Sequence, residues 1–353
     1  MYTLPIDVSK LDDLDYLKTL KLHKYVQDNR VLLKYQREEL EEHENNTIGK
    51  FRSVIFSDHK LVCYSPPKST LLSFEDSVVE EFIDGTMINV FYDKEWVIST
   101  KSVLNADTRF YQHNPTFKDL FQETCIYCKL SLDQLNPNKC YSFVMQHPSN
   151  RIVSPVSIPA LYLVEMYSID GLSVQRVFSK EELSNTSVQY PKTFSFISRE
   201  EMSVSQPFAI KGYMLKEKNG INREKYINPA YTKVQEIRGN EHHLTFTYLH
   251  HKKNKTQKEW LMYYPEYRNL CNTYKERFNE YLNQLYQHYV DCFIHKKKNL
   301  KEYDNRYKFH MYTLQGIYLN KLRPQRMTKY LVYDYLIQLE PKHLHSILSD
   351  IVE

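Results

Sequence analysis

The hydrophobic period of this chain changes once, near residue 259, and that switch limits the folds open to it more than any other feature. From 51 to about 250, short runs of β-branched and aromatic residues alternate with turn residues: Phe51–Phe56, Lys60–Tyr64, Met87–Tyr92, Trp96–Ser99, Tyr141–Gln146 and Leu161–Tyr167. Helical patches such as Thr116–Thr124 interrupt them. That mixture predicts an α+β fold built on antiparallel sheets. From about 259, Tyr274, Phe278, Tyr281, Leu282, Leu285 and Tyr289 recur at helical spacing and mark one apolar stripe. A second stripe runs Tyr307, Met311, Leu314, Tyr318, and a third Tyr330, Tyr333, Leu336, Ile337, with Pro324 and Pro341 where helices begin or break.

The first fifty residues read as a charged helical lead-in. Tyr25-Val26, Val31-Leu32-Leu33 and Tyr35 precede the acidic stretch Glu38–Glu44. The expected organisation is therefore a lead-in over 1–50, an α+β core over 51–258 and an all-helical domain over 259–353.

Length and composition narrow the function classes. A chain of 353 residues with 42% hydrophobic content has material for two domains. The net charge of +4 is compatible with a nucleic-acid partner without requiring one, because clustering matters more than the sum. Thirty tyrosines against seven glycines are either the imprint of an AT-rich genome or a supply of stacking platforms for bases, and composition does not separate the two. The six cysteines show no disulfide framework. Cys125, Cys128 and Cys140 lack a fourth zinc ligand, so no metal site is expected. The start turns acidic within a few residues and reads as no signal peptide, and no apolar run approaches the roughly 18 residues of a membrane span. No membrane association is expected, and the thiol usage fits a cytoplasmic setting.

The span with chemical information is Glu80-Glu81-Phe82-Ile83-Asp84-Gly85-Thr86-Met87-Ile88-Asn89-Val90-Phe91-Tyr92-Asp93. Asp-Gly-Thr at a bend between strands is common by itself. Its neighbours add weight. Upstream stand Phe51-Arg52-Ser53-Val54-Ile55-Phe56 and Ser65-Pro66-Pro67-Lys68. Downstream stand Trp96-Val97-Ile98-Ser99-Thr100-Lys101-Ser102, then His147-Pro148-Ser149-Asn150-Arg151-Ile152-Val153.

In order and spacing these segments resemble the phage-type RNA ligase 1 family of covalent nucleotidyltransferases over roughly residues 50–240. The chain also looks like proteins of large DNA viruses. The resemblance implies a nucleotidyltransferase core, with antiparallel sheets like those of ATP-grasp folds, and an appended helical domain. It also implies a reaction in which a lysine amine attacks the α-phosphate of ATP, with magnesium and basic side chains neutralising charge.

The match is uneven. Asp84, Gly85 and Thr86 fit the nucleophile motif, but the lysine position is Phe82, which forms no phosphoramidate. The family's glutamate before Asn150-Arg151 falls at Val144. Its Glu-Gly-aromatic-Val motif falls on Lys211-Gly212-Tyr213-Met214, and its paired lysines on Tyr226-Ile227-Asn228, with Lys225 and Lys233 beside them. What the resemblance retains is a nucleotide- or phosphate-binding set of Arg52, Lys68, Asp84, Gly85, Lys101, Arg151 and Lys211. Lys68 and Lys101 are the candidates for a displaced nucleophile, and ATP and Mg²⁺ are implied only if the site is active.

Each residue also has an ordinary reading. Arg52 and Arg151 alone suit surface ion pairs, Lys68 follows two prolines and projects from a turn, and His147 suits packing better than catalysis. Lys252, Lys253 and Lys255 read as a charged hairpin loop between strands at Leu244–Leu249 and Trp260–Tyr263, and Lys296, Lys297 and Lys298 as a helix end. Both tracts are either solvated or in contact with RNA phosphates.

Three functions remain open. The first is a ligase-like protein with a degenerate site that binds RNA, an RNA 5′ end or a nucleotide within a viral RNA-processing or translation-linked assembly. The second is an active ATP-dependent RNA ligase with a displaced lysine, and the third a structural or virion scaffold with a vestigial pocket. RNA is the expected partner, viral proteins are further candidates, and DNA is not expected. For a viral protein the cytoplasmic setting means host cytoplasm, viral factory or virion.

Overall fold

A computed structural model describes residues 1–73, 75–111, 114–195, 197–322 and 326–349. Pro324 lies outside them. The chain divides into two compact units, Met1–Glu236 and Ile237–Glu353.

The first unit contains three antiparallel sheets among its described residues. The largest has six strands in the order β1 (Tyr2–Thr3), β11 (Ser173–Arg176), β10 (Ala160–Asp170), β9 (Lys139–Gln146), β7 (Thr86–Asp93) and β8 (Glu95–Ser99). A four-stranded sheet runs β12 (Thr193–Phe194), β6 (Ser77–Glu81), β13 (Gly212–Glu217) and β14 (Arg223–Ile227), and another β2 (Leu22–Gln27), β3 (Arg30–Tyr35), β4 (Val54–Ser57) and β5 (Lys60–Tyr64). Helices α1 (Leu14–Thr19), α2 (Phe117–Tyr127) and α3 (Arg199–Ser203) are interspersed, and α4 (Pro229–Arg238) runs across the division between the units.

The six-stranded sheet buries both faces, so its strands read as apolar runs rather than alternations. Tyr141, Phe143 and Met145 of β9 join a core with Leu120 and Phe121 of α2. Cys140, next to Tyr141 on the same strand, joins the opposite core with Leu33, Ile55 and Tyr64 of the β2–β5 sheet. Thr116 caps α2 in a reciprocal capping box with Asp119, which accounts for the helix predicted at Thr116–Thr124.

A buried ion-pair network links the six-stranded sheet to the β12-β6-β13-β14 sheet. Lys216 of β13 contacts Glu80 of β6 at 2.8 Å and Glu165 of β10 at 2.9 Å, and Glu165 also accepts from Arg176 of β11 at 2.8 Å. Removing one partner from such a network strands a buried charge, which gives the arrangement its rigidity.

The second unit is helical: α5 (Leu244–Lys253), α6 (Gln257–Tyr263), α7 (Arg268–Tyr289), α8 (Asn305–Ile317), α9 (Lys329–Gln338) and α10 (Pro341–Ser349). Phe278, Tyr281, Leu282, Leu285 and Tyr289 are all buried along α7, as the stripe predicted.

Two segments differ from the sequence reading. The lead-in is not a helix through 22–35. Asp28 turns with φ 55°, and β3 pairs with both β2 and β4, so Val31-Leu32-Leu33 is the interior strand of a sheet. Leu32 and Leu33 are wholly buried, and cross-strand packing overrides the helical reading of the charged flanks. The tract from 244 to 263 is not a hairpin but the helix pair α5–α6, with Tyr248, Leu249 and Trp260 buried. Aromatic and Thr-rich sequence favours strands locally, and helical burial wins here. The helical half accordingly begins before 259, and the compact units part at 236/237.

Candidate functional site

The motif segment lies where β6 leaves its four-stranded sheet and β7 enters the six-stranded one. Asp84 turns inward at this crossing. Its Oδ2 accepts the backbone N–H groups of Val153 and Ser154, each at 3.0 Å, and its Oδ1 accepts the Tyr231 hydroxyl at 2.6 Å. The Lys211 ammonium stands 3.7 Å from the same Oδ1. Burial works to raise the Asp84 pKa, but Lys211, Tyr231 and the two amides together hold it below the usual carboxylate range. Asp84 is thus a buried anchor tying the turn to the Asn150–Ser154 segment. Gly85 has φ 141°, and a Cβ there would collide with the Met145 carbonyl oxygen, so only glycine fits.

The aromatic ring at Phe82 has a specific partner. Lys211 leaves the start of β13 with its ammonium 4.2 Å from the Phe82 ring centroid and 5.8 Å from that of Tyr231. The backbone brings the two together, because Phe82 N donates to Gly212 O at 2.9 Å. A lysine amine therefore does reach this spot, but it comes from the position that the family resemblance assigns to a carboxylate. Burial first, and the Arg52 charge as well, push the Lys211 pKa down against the pull of Asp84. Sequence reasoning placed Lys211 in the phosphate set; the structure turns it onto Asp84 and Phe82.

Behind this pair the floor is apolar. Ile83, Val144 and Val164 form a small cluster with Met87 and Tyr162. The cavity lined by Phe82, Ile83, Val144, Val164 and Met214 measures about 30 Å³. Ligand pockets are typically some 300–1,000 Å³, so this one holds a water and no nucleotide. Three carboxylates line its edge, Glu80, Glu81 and Glu165, and Lys216 engages Glu80 and Glu165. Among the described residues no three His, Cys, Asp or Glu side chains could hold a metal ion, and all six cysteines are free and buried.

The cations in front of this floor behave differently. Arg52 and Lys225 lie within electrostatic reach of both Lys101 and Lys211, and Lys34, Arg37 and Lys68 extend the group. Burial, followed by Arg52, Lys34, Arg37 and Lys225, pushes Lys101 down to about 8. Burial lowers Lys225 too, helped by Arg52, Arg37 and Lys68. No hydrogen bond or ion pair engages the Arg52 guanidinium among the described residues, and the Lys101 ammonium lies 5.6 Å over the Tyr35 ring. Mutual depression of this kind is the signature of a site that an anion would relieve.

The remaining predicted residues divide. Lys68 donates to Asn45 Oδ1 at 2.6 Å while still contributing to the field at Lys225. The Arg151 guanidinium folds back onto Val153 O at 3.1 and 2.8 Å, so it braces its own loop. His147 is buried, accepts from Ser149 N at 3.1 Å and faces Glu123, a packing role as expected. In the second unit the Lys252 ammonium sits among the rings of Phe278, Tyr333 and Tyr248 at 4.4, 5.5 and 5.7 Å. It lies in the last turn of α5 rather than in a loop. Lys253 and Lys255 are exposed at the end of α5. Lys296, Lys297 and Lys298 are exposed beyond α7, with Lys297 paired to Asp291 at 2.9 Å and Lys298 set 5.9 Å over Tyr303.

Sequence reasoning did not assign Lys34, Arg37, Lys225 or Tyr231 to the site. Lys225 was one residue from a motif position, and the other three carry no local signal, because strand pairing and α4 deliver them.

No family model matches the chain. It is 27% identical over 215 residues to the immediate-early protein ICP-46 homolog of Invertebrate iridescent virus 3, an alignment covering 57% of this chain and 46% of that protein. It is 32% identical over 99 residues to the RNA ligase of Rhodothermus phage RM378, covering 26% of this chain and 23% of the ligase. The chain thus spans less than half the length of these two relatives. Among solved structures, an RNA ligase of Naegleria gruberi superposes with a TM-score of 0.35 at 14% identity, over 45% of this chain and 51% of that one. A putative ATP-dependent DNA ligase from Aquifex aeolicus gives 0.41 at 14% identity, over 88% of each chain. The sequence is RNA-ligase-like, and it has relatives in large DNA viruses. No helix among the described residues is long and apolar enough to cross a membrane.

Proposed function

We propose that this is an RNA-ligase-like protein whose nucleotidyl-transfer site is degenerate and which binds RNA, through a phosphate-bearing segment or 5′ end, on the cation cluster of its first unit. The observation that carries this reading is the pairing at the motif itself. Phe82 stands at the nucleophile position with the Lys211 ammonium on its ring, 4.2 Å from the centroid, and the cavity behind it holds about 30 Å³. The motif position has no lysine of its own, and the Lys211 amine that reaches it is paired with Asp84 beside a cavity too small for a nucleotide. Phosphate recognition needs neither that amine nor that cavity, because Arg52, Lys101 and Lys225 share a field with too few carboxylates. Similarity to a phage RNA ligase and to proteins of iridescent viruses supports RNA as the ligand and a place in a viral RNA-processing or translation-linked assembly. The setting is then host cytoplasm, viral factory or virion.

The test is fluorescence anisotropy with single-stranded RNA bearing a 5′-phosphate or a 5′-hydroxyl, at low and at moderate salt. Tighter binding of the phosphorylated strand, weakening steeply with salt, is expected. No binding at low salt, where phosphate contacts are strongest, would sink the reading.

An active ligase with a displaced lysine is a second reading, favoured by one observation: Lys101, held near 8, is a more nucleophilic amine at neutral pH than an ordinary lysine. Incubation with labelled ATP and Mg²⁺ followed by intact mass measurement separates the two readings. The binding reading expects no addition of AMP, and a covalent adduct would replace it.

A further inference from the structure

The helical unit has a cleft that the first unit's chemistry does not use. It lies between the first half of α8 and the corner where α9 gives way to α10, and it encloses about 520 Å³. Arg306, Phe309, His310, Leu339, His343 and Ser346 line it. Three features separate it from a packing defect. Its size falls in the range of small-molecule pockets. Phe309 is 67% exposed, and Tyr312, one helical turn on, is 70% exposed, so two aromatic rings on one face of α8 are left uncovered. The polar groups around them are also held in place. The Arg306 guanidinium lies 5.1 Å over the Tyr281 ring and 5.6 Å over that of Tyr307, two rings stacked on each other 5.0 Å apart. His310 is fixed through Nδ1 to the Tyr335 hydroxyl at 2.7 Å. Asp304, at the mouth, accepts the Arg306 N–H at 2.8 Å and is engaged as the N-cap of α8.

A flat exposed ring, a positioned guanidinium and imidazoles able to meet a base edge are what an unpaired nucleotide requires. We propose that this cleft receives an unpaired base of single-stranded RNA, stacked on Phe309 with its phosphate toward Arg306. The ligand class rests on the RNA reading given above, but the contact differs in kind, because the first unit offers charge and this cleft offers a stacking surface.

The experiment compares two decamers of equal charge, oligoadenylate and a fully abasic ribose-phosphate strand, binding to the full chain. Four proteins are measured by anisotropy: the parent, Phe309→Ala, Phe309→Trp, and a variant with Arg52, Lys101 and Lys225 all changed to alanine. The parent is expected to prefer the base-bearing strand by about tenfold. F309A is expected to lose that preference without losing its fold, since the ring is mostly exposed, and F309W to keep it. The triple variant is expected to weaken both strands alike and leave the ratio intact. If the parent shows no preference, or the preference survives F309A, the inference is overturned. If instead the triple variant binds both strands as tightly as the parent while F309A still erases the ratio, the cation-cluster reading fails and this one stands.

Discussion

Replacing Lys101 by methionine is expected to make the protein more stable and a poorer binder of RNA, two effects of opposite sign from one change. The magnitude follows from the site. Holding the amine near 8 rather than 10.5 costs the fold at most about 3.4 kcal/mol at pH 7, at 1.36 kcal/mol per pH unit. The side chain is only partly buried, and solvent screening reduces that figure. The 5.6 Å approach to the Tyr35 ring returns about 0.5–1 kcal/mol that methionine forfeits. A net gain of about 1 kcal/mol remains, because methionine keeps the apolar stem and removes repulsion from Arg52, Lys34, Arg37 and Lys225.

The pH dependence fixes the cause. Between about 8 and 10.5 the unfolded chain holds a proton on Lys101 that the folded chain has released, so parent stability climbs with pH across that window. The advantage of K101M should therefore be full at pH 7 and largely gone by pH 10. Urea unfolding at both values measures it, and anisotropy in a salt series should show the binding slope falling by about 0.7 for one lost phosphate contact. If K101M is destabilised at pH 7, or gains equally at both pH values, the amine is not under electrostatic strain. If its RNA affinity and slope match the parent, the cluster is not the binding surface.

Other changes probe the scaffold of the site. Asp84→Asn should cost about 3–5 kcal/mol, since it leaves Lys211 buried without its carboxylate and misplaces an acceptor for Val153 and Ser154. Because the Asp84 pKa is lowered in the fold, its contribution is lost as pH falls below about 4, and the gap between D84N and the parent in chemical denaturation should close there. Gly85→Ala should lower stability by about 3 kcal/mol, read as a drop in Tm, from the positive φ and the clash with Met145 O. Lys216→Met should cost about 3–5 kcal/mol in urea unfolding, because Glu80 and Glu165 lose a buried partner and only Glu165 has Arg176 in reserve.

How much of this was legible in the sequence depends on whether the cause was local. The strands at 87–92 and 141–146 and the α7 stripe could be read because their burial leaves a periodic or continuous apolar pattern. Val31-Leu32-Leu33 could not, because its strand identity comes from β4 on the far side of the turn region, and the 244–263 helices have strand-favouring residues that only tertiary packing overrules. At the site the same division holds. The absent lysine at Phe82 and the glycine at 85 are written in the motif, whereas the partner that explains them is not. Lys211 meets Phe82 because β13 pairs with β6 in a register that sets Tyr213 opposite Glu81. A sequence shows that a carboxylate position holds lysine. Only the register shows that this lysine meets the Phe82 ring and pairs there with Asp84. On the proposed reading the retained cations and the lost chemistry are one rearrangement rather than two independent decays, in which a ligase-like core keeps its electrostatic face, closes its nucleotide floor and serves as a binder.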